Sequence, residues 1–145
     1  MKVEKDYEEL LKLLNKHRVR YCIVGAYAVA LYGYPRYTKD IDILVEPSLK
    51  NAEKILKALK DFGFGSLKLK REDFIKKDNI IQLGYEPVRV DFLTFVPNYN
   101  FSQIWKNKKS FLYGKTRVYF IGKKELINSK KISDRKIDRL DLENL

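Results

Sequence analysis

Residues 21–46 read YCIVGAYAVALYGYPRYTKDIDILVE. The apolar run Tyr21 to Val24 ends on Gly25. About fifteen residues later Asp40 and Asp42 flank one apolar residue at the head of a second apolar run, and a third aspartate, Asp91, sits inside another run, Val88 to Val96. Side chains alternate faces along a strand, so Asp40 and Asp42 point the same way while Ile41, Ile43 and Val45 point into a core. Two carboxylates that close repel, and burying them unpaired is costly. A bound cation, or Lys and Arg nearby, resolves the conflict. Two acids on one strand face with a third on a neighbouring strand are what a divalent-metal site for phosphate chemistry requires. A bare Asp-x-Asp also suits a solvated strand edge; the residues around this one favour the metal reading.

Working outward, the 145 residues suffice for one domain with a real core and are short for two. With 45% hydrophobic residues the chain is expected to fold. No run approaches the roughly 18 apolar residues of a membrane span. The N-terminus, MKVEKDYEELLKLLNKHRVR, is amphipathic and charged, without an apolar signal core. The single Cys22 lies in an apolar run and reads as a buried thiol. Together these point to a cytoplasmic protein. The net charge of +11 is uneven: residues 102–145 hold twelve Lys and Arg against five Asp and Glu. Such an excess favours polyanions such as nucleotides and RNA, or serves as a solubility surface.

Periodicity places an amphipathic helix over residues 4–17, a strand over 21–24, and a helix from Ala26 to Tyr32 that Gly33-Tyr34-Pro35 breaks. A strand over 41–45 and a helix from Pro47-Ser48 to about Leu59 follow. Phe64 to Leu69 is expected to form another strand. Residues 79–85 and 88–95 read as paired strands around Glu86-Pro87, residues 101–105 as a short helix, and 110–113 with 116–121 as a hairpin at Gly114-Lys115. Helices are expected over 123–130 and 133–145. The class is α/β (α+β), a central mixed sheet flanked by helices. One domain, 1–145, is the simplest organisation, with a C-terminal helical segment at about 123–145 packed on it.

The pattern Gly25, Ala26, Ala28, Gly33, Arg36, Thr38, Asp40, Asp42 resembles the signature of the polymerase-β-like nucleotidyltransferase superfamily. It is closest to small standalone members related to the abortive-infection nucleotidyltransferase toxins. Val90-Asp91-Phe92-Leu93 is similar to the strand carrying the third carboxylate of that group. Residues 121–130 with Arg135, Asp138 and Asp141 are similar to its C-terminal signature. The resemblance runs from about residue 20 to the end. Ala26 stands where the superfamily usually has Gly or Ser, and Asp134 where relatives often have Gly.

The resemblance implies a nucleotidyltransferase fold and transfer of a nucleoside monophosphate from a nucleoside triphosphate to a hydroxyl, with release of pyrophosphate. It implies Asp40, Asp42 and Asp91 as ligands of Mg²⁺ (or Mn²⁺), with Asp91 near the attacking hydroxyl; oxygen-only ligands suit these ions over zinc. Gly25 and Ala26 would offer backbone amides to the phosphates at a helix start. Arg36 can reach a phosphate or pair with Asp42; Thr38 can steady the loop; Lys130 can bind triphosphate or sit exposed at a helix end. RNA, a protein side chain and a small molecule are all open as acceptors, with the basic C-terminal third tilting toward an anionic one. A homodimer or a helical partner could complete the cleft.

Other chemistries fit poorly. His17 is the only histidine and reads as a surface residue at a helix end, which leaves no Ser-His-Asp triad or histidine metal site. Gly63-Phe-Gly65 follows a helix and reads as a helix stop. Two alternatives to an active enzyme stand beside the first reading: a nucleotide-binding regulator of toxin–antitoxin type that has lost turnover, and a basic nucleic-acid-binding module.

Overall fold

The computed structural model describes residues 2–33, 40–65, 67–85, 88–133, 142, 143 and 145. Its centre is a six-stranded mixed sheet of order β3-β4-β2-β1-β6-β5. The strands are β1 (Tyr21–Val24), β2 (Asp40–Val45), β3 (Ile80–Tyr85), β4 (Val88–Leu93), β5 (Lys109–Tyr113) and β6 (Thr116–Phe120). The helices are α1 (Lys5–Lys16), α2 (Gly25–Tyr32), α3 (Leu49–Leu59), α4 (Phe101–Lys106) and α5 (Lys123–Ser133). β1 runs antiparallel to β2 and parallel to β6, while β2 and β4 are parallel. Two antiparallel hairpins, β3–β4 and β5–β6, close the sheet on either side. This is the α/β class expected from the alternating patterns.

The elements follow from local chemistry. In α1, Tyr7, Leu10, Leu11 and Leu14 fall on one stripe and are all buried, each such side chain contributing about 1.5–3 kcal/mol of transfer free energy. Ser48 caps α3 by accepting from the Asn51 amide at 3.2 Å, which satisfies one orphan N–H of the first turn. Asn100 does the same for α4, accepting from Gln103 N at 3.0 Å. Cys22 is fully buried, and burial pushes its thiol up to about 12, so it is inert packing.

One side chain fixes the entry to the central pair. Asn51 accepts from Arg20 N at 2.8 Å and donates to Arg20 O at 3.1 Å and Glu46 O at 3.0 Å. It thereby joins the chain just before β1 to the chain just after β2, the two ends that antiparallel pairing brings together.

Among the described residues of 64–69 there is no strand. Lys60–Phe64 forms a π turn instead, Gly63 adopts φ +106°, and Leu67 is exposed. The Gly63 conformation turns the chain out of α3, so the apolar residues 62, 64 and 69 pack on the core individually rather than as a ladder. His17 stands partly exposed at the end of α1, as expected, and bonds the Asp61 carboxylate at 2.7 Å. The Glu86-Pro87 turn and nearly all of the expected helix at 133–145 lie outside the described residues. α5 packs against α2, and no helix among the described residues is long and apolar enough to cross a membrane.

Candidate active site

Strand register assembles the acids. Asp42 on β2 faces Asp91 on β4, and Asp40 faces Arg89. Residues opposite each other in a ladder share a face, so all four side chains rise from one side of the sheet. The row extends both ways: Asp91 faces Gln82 on β3, and Asp42 faces Val24 on β1. The intervening residues Ile41, Ile43, Val90 and Phe92 are buried on the opposite side.

Gly25 follows Val24 directly and opens α2 with φ +67°. A Cβ at this position would overlap the Asp42 carboxylate. Only glycine satisfies both the left-handed backbone and the close approach of the acid. The strand-to-helix turn is therefore pressed against Asp42, with the amides of the first helical turn beside a carboxylate.

Arg89 Nε lies 3.8 Å from Asp40 Oδ2 and 3.6 Å from Asp91 Oδ1. These are ion-pair distances and too long for good hydrogen bonds. Asp91 Oδ1 is buried and accepts no hydrogen bond among the described residues. Burial, then Asp91, then Asp40 push Asp42 up to about 7, with Lys130 opposing. Asp91 is raised too, chiefly by burial, with Arg89 opposing. Tyr7 of α1 anchors the neighbouring backbone: its hydroxyl donates to Arg89 O at 2.8 Å and accepts from Arg89 N at 3.3 Å.

These features suit a hard cation. The donors are all carboxylate oxygens, one buried oxygen lacks a hydrogen-bond donor, and the acids crowd one another. Among the described residues, however, no three acidic, imidazole or thiol groups are close enough to enclose an ion. Arg89, lying against both Asp40 and Asp91, takes up charge that an ion would otherwise balance.

A cleft of about 390 Å³ opens over Asp42 and Asp91. Gly25, Gln82, Ser129 and Lys130 line it, with Val96-Pro97 on one side. Lys130, expected either at the phosphates or exposed, is 8% exposed and points its influence at Asp42. Ala26 is half-buried beside Gly25 and does not line the cleft. Arg36 and Thr38 lie outside the described residues.

A family model described as aminoglycoside-2''-adenylyltransferase matches residues 7–137. The chain belongs to this family. It is a nucleotidyltransferase of the polymerase-β-like superfamily. Solved adenylyl- and nucleotidyltransferases share its fold. TM1012 from Thermotoga maritima, assigned as a nucleotidyltransferase, superposes with a TM-score of 0.67 at 14% identity, over 98% of this chain and 93% of that one. The lincosamide antibiotic adenylyltransferase LnuA, solved with lincomycin bound, gives 0.59 at 18% identity, over 97% and 94%. No curated protein sequence matches the chain.

Sequence reasoning missed Gln82 and Ser129 as lining residues of this adenylyltransferase-family cleft. Gln82 could have been found only from the β3–β4 register, which the two strand patterns imply but do not number. Ser129 precedes Lys130 on α5 and carried no signal of its own.

Proposed function

We propose that this chain transfers a nucleoside monophosphate from a Mg²⁺-bound nucleoside triphosphate to a hydroxyl of a small-molecule acceptor. The observation that carries the reading is the cross-strand pairing of Asp42 with Asp91 beside the bare Gly25 turn. Asp42 and Asp91 would hold the divalent ion, Mg²⁺ or Mn²⁺, and Asp40, which now lies against Arg89, would have to turn toward them to complete the ligand set. The bound ion would neutralise triphosphate charge and help the leaving pyrophosphate depart.

The chain's own residues supply the rest. The amides at the Gly25-Ala26 turn would face the phosphates at the start of α2. Lys130, buried at the cleft wall, would add a fixed positive charge there. Arg36 and Thr38 keep the phosphate-side and loop roles that the motif implies. Asp91, the outer carboxylate of the pair, would take the proton of the attacking hydroxyl. The acceptor oxygen forms the new bond to the α-phosphorus, the bond from that phosphorus to the pyrophosphate oxygen breaks, and pyrophosphate leaves. A small acceptor is favoured because the family description and LnuA both name antibiotics as substrates or ligands.

The test is direct. Incubate the protein with each α-labelled nucleoside triphosphate, Mg²⁺ or Mn²⁺, and in separate arms a small-molecule hydroxyl library, total cell RNA and total cell protein. Label is expected in the small-molecule arm, and the Asp40→Asn/Asp42→Asn variant should abolish it. Label confined to RNA or protein would overturn the acceptor class. Tight triphosphate binding without transfer in any arm would replace the enzyme with a nucleotide-binding regulator.

A further inference from the structure

Arg89 stands inside the row of acids. On β4 it comes two residues before Asp91 and lies in register with Asp40 on β2, so the three side chains rise from one face. On its other flank, across the β3–β4 ladder, the residue in register is Gly84. A Cβ there would overlap the Val88 carbonyl oxygen, and φ is +82°, so the position stays bare. Arg89 therefore has a carboxylate opposite it on β2, another beside it on β4, and only backbone opposite it on β3.

Its main chain is fixed and its side chain is not. The Tyr7 hydroxyl donates to Arg89 O at 2.8 Å and accepts from Arg89 N at 3.3 Å. The side chain is 34% exposed and, with Gly84, lines a hollow of about 520 Å³. Its hold on the acids is loose. One atom, Nε, lies 3.8 Å from Asp40 Oδ2 and 3.6 Å from Asp91 Oδ1. A forked guanidinium–carboxylate pair closes to about 2.7–2.9 Å, and Mg²⁺ approaches carboxylate oxygens to about 2.0–2.1 Å. Asp91 Oδ1 is buried and accepts no hydrogen bond among the described residues. Arg89 thus balances charge on the acids without saturating their oxygens.

Building on the transferase reading above, we propose that Arg89 is the built-in counter-ion of this site. Its guanidinium takes the place of the divalent ion between Asp40 and Asp91. It must swing away toward β3 before Asp40 can join Asp42 and Asp91 as a ligand. The bare Gly84 flank leaves room for that movement, and the Tyr7 bonds keep β4 in place while it happens. The same contact explains why no three acids among the described residues enclose an ion: Asp40, the third, lies against Arg89. Arg89 sets how readily the acids take the ion and touches no reacting atom, so it is a positioning residue.

The experiment measures ion binding directly, without turnover. Mn²⁺ is titrated into the full chain and the free ion is followed by electron paramagnetic resonance, with circular dichroism confirming that each variant is folded. Arg89→Gln should bind Mn²⁺ about tenfold more tightly than wild type, because a like charge beside the site is gone. Arg89→Lys should stay within about threefold of wild type, since its ammonium stands one bond beyond the place of Nε and still reaches both acids. The gain should vanish in Arg89→Gln/Asp42→Asn. In the wild type, the ¹⁵N-labelled Arg89 Nε–H signal, assigned by its loss in Arg89→Lys, should exchange faster with water once Mg²⁺ is added. That readout does not depend on how Arg89→Gln folds. An equal or weaker Mn²⁺ affinity in Arg89→Gln overturns the proposal, leaving a structural ion pair or, where the ATP KM also rises, a phosphate contact. An Arg89 signal that Mg²⁺ does not move overturns it as well. So does a failure of both wild type and Arg89→Gln to bind Mn²⁺. Asp42-dependent pyrophosphate release would then spare the transferase reading, and its absence would remove that reading too.

Discussion

Two groups of carboxylate in this molecule are treated in opposite ways. On the β2–β4 face, Asp42 and Asp91 stand half-buried side by side and both titrate above their ordinary range. At the far hairpin, Glu8 of α1 accepts from Lys115 N at 2.9 Å and from the Thr116 hydroxyl at 2.9 Å. Those bonds, the backbone one foremost, hold Glu8 below its usual value. Gly114, at φ +64°, makes room for it. The side chain is the same kind of group in both places. Where its oxygens are met by donors it fastens the fold; where they crowd together it spends stability to keep a binding capacity.

The contrast breaks most visibly at Asp42. Asp42→Asn should reduce nucleotidyl transfer by about a thousandfold or more, measured as pyrophosphate release. The same change should raise the Tm of the metal-free protein at pH 7, because it removes a charge that burial and two neighbouring aspartates oppose. A drop in Tm would show that the acid cluster is a structural pair like Glu8.

Next in size is Gly25→Ala. The added methyl meets the Asp42 carboxylate, and an L-residue at φ +67° costs about 1–2 kcal/mol in addition. Lower stability by denaturant melt and loss of activity are expected together. Retained activity would show that the turn can move away from the acid.

pH sharpens the comparison because the two regions respond with opposite sign. A raised carboxyl contributes stability that is fully present below its unfolded value and lost as pH rises through the folded one. For Asp42 that window runs from 3.8 to about 7. The metal-free protein should therefore lose part of its stability across this range, and Mg²⁺ should restore it by displacing the proton. Glu8, being lowered, contributes stability above its unfolded value of 4.5 that is lost as pH falls through the folded one. Thermal melts from pH 3 to pH 8, with and without Mg²⁺, measure both. A metal-free Tm that climbs steadily from pH 4 to 7 would contradict the assignment to Asp42. The smallest effect is expected from Glu8→Gln, a slight fall in Tm with kcat within about twofold of wild type, as for a surface substitution that keeps most of its bonds.

The sequence carried the pair of alternating acids on β2 and the apolar identity of every strand, since both depend on local periodicity. It carried Gly25 as a punctuation mark, and the structure adds the reason: Asp42 occupies the space of a Cβ. What it could not supply was register. Asp91 and Gln82 meet through pairing between separate strands, and a shift of one residue would have sent either side chain to the other face. Asn51 closes three backbone groups at once through chain segments on either side of the β1–β2 pair, which helical periodicity does not reveal. The expected strand at 64–69 failed because Gly63 redirects the chain and leaves its apolar residues to pack one by one.

Asp42 and Asp91 stand about fifty residues apart in the chain and meet only through the parallel β2–β4 ladder. Parallel neighbours cannot be joined by a tight turn, so this contact is nonlocal by construction and pays its loop-closure entropy in full before it forms. During folding the reactive centre is thus among the late arrivals, after either hairpin can zip on its own. Recovered turnover in a refolding experiment would report completion of the whole sheet, and no half-assembled intermediate should show partial chemistry.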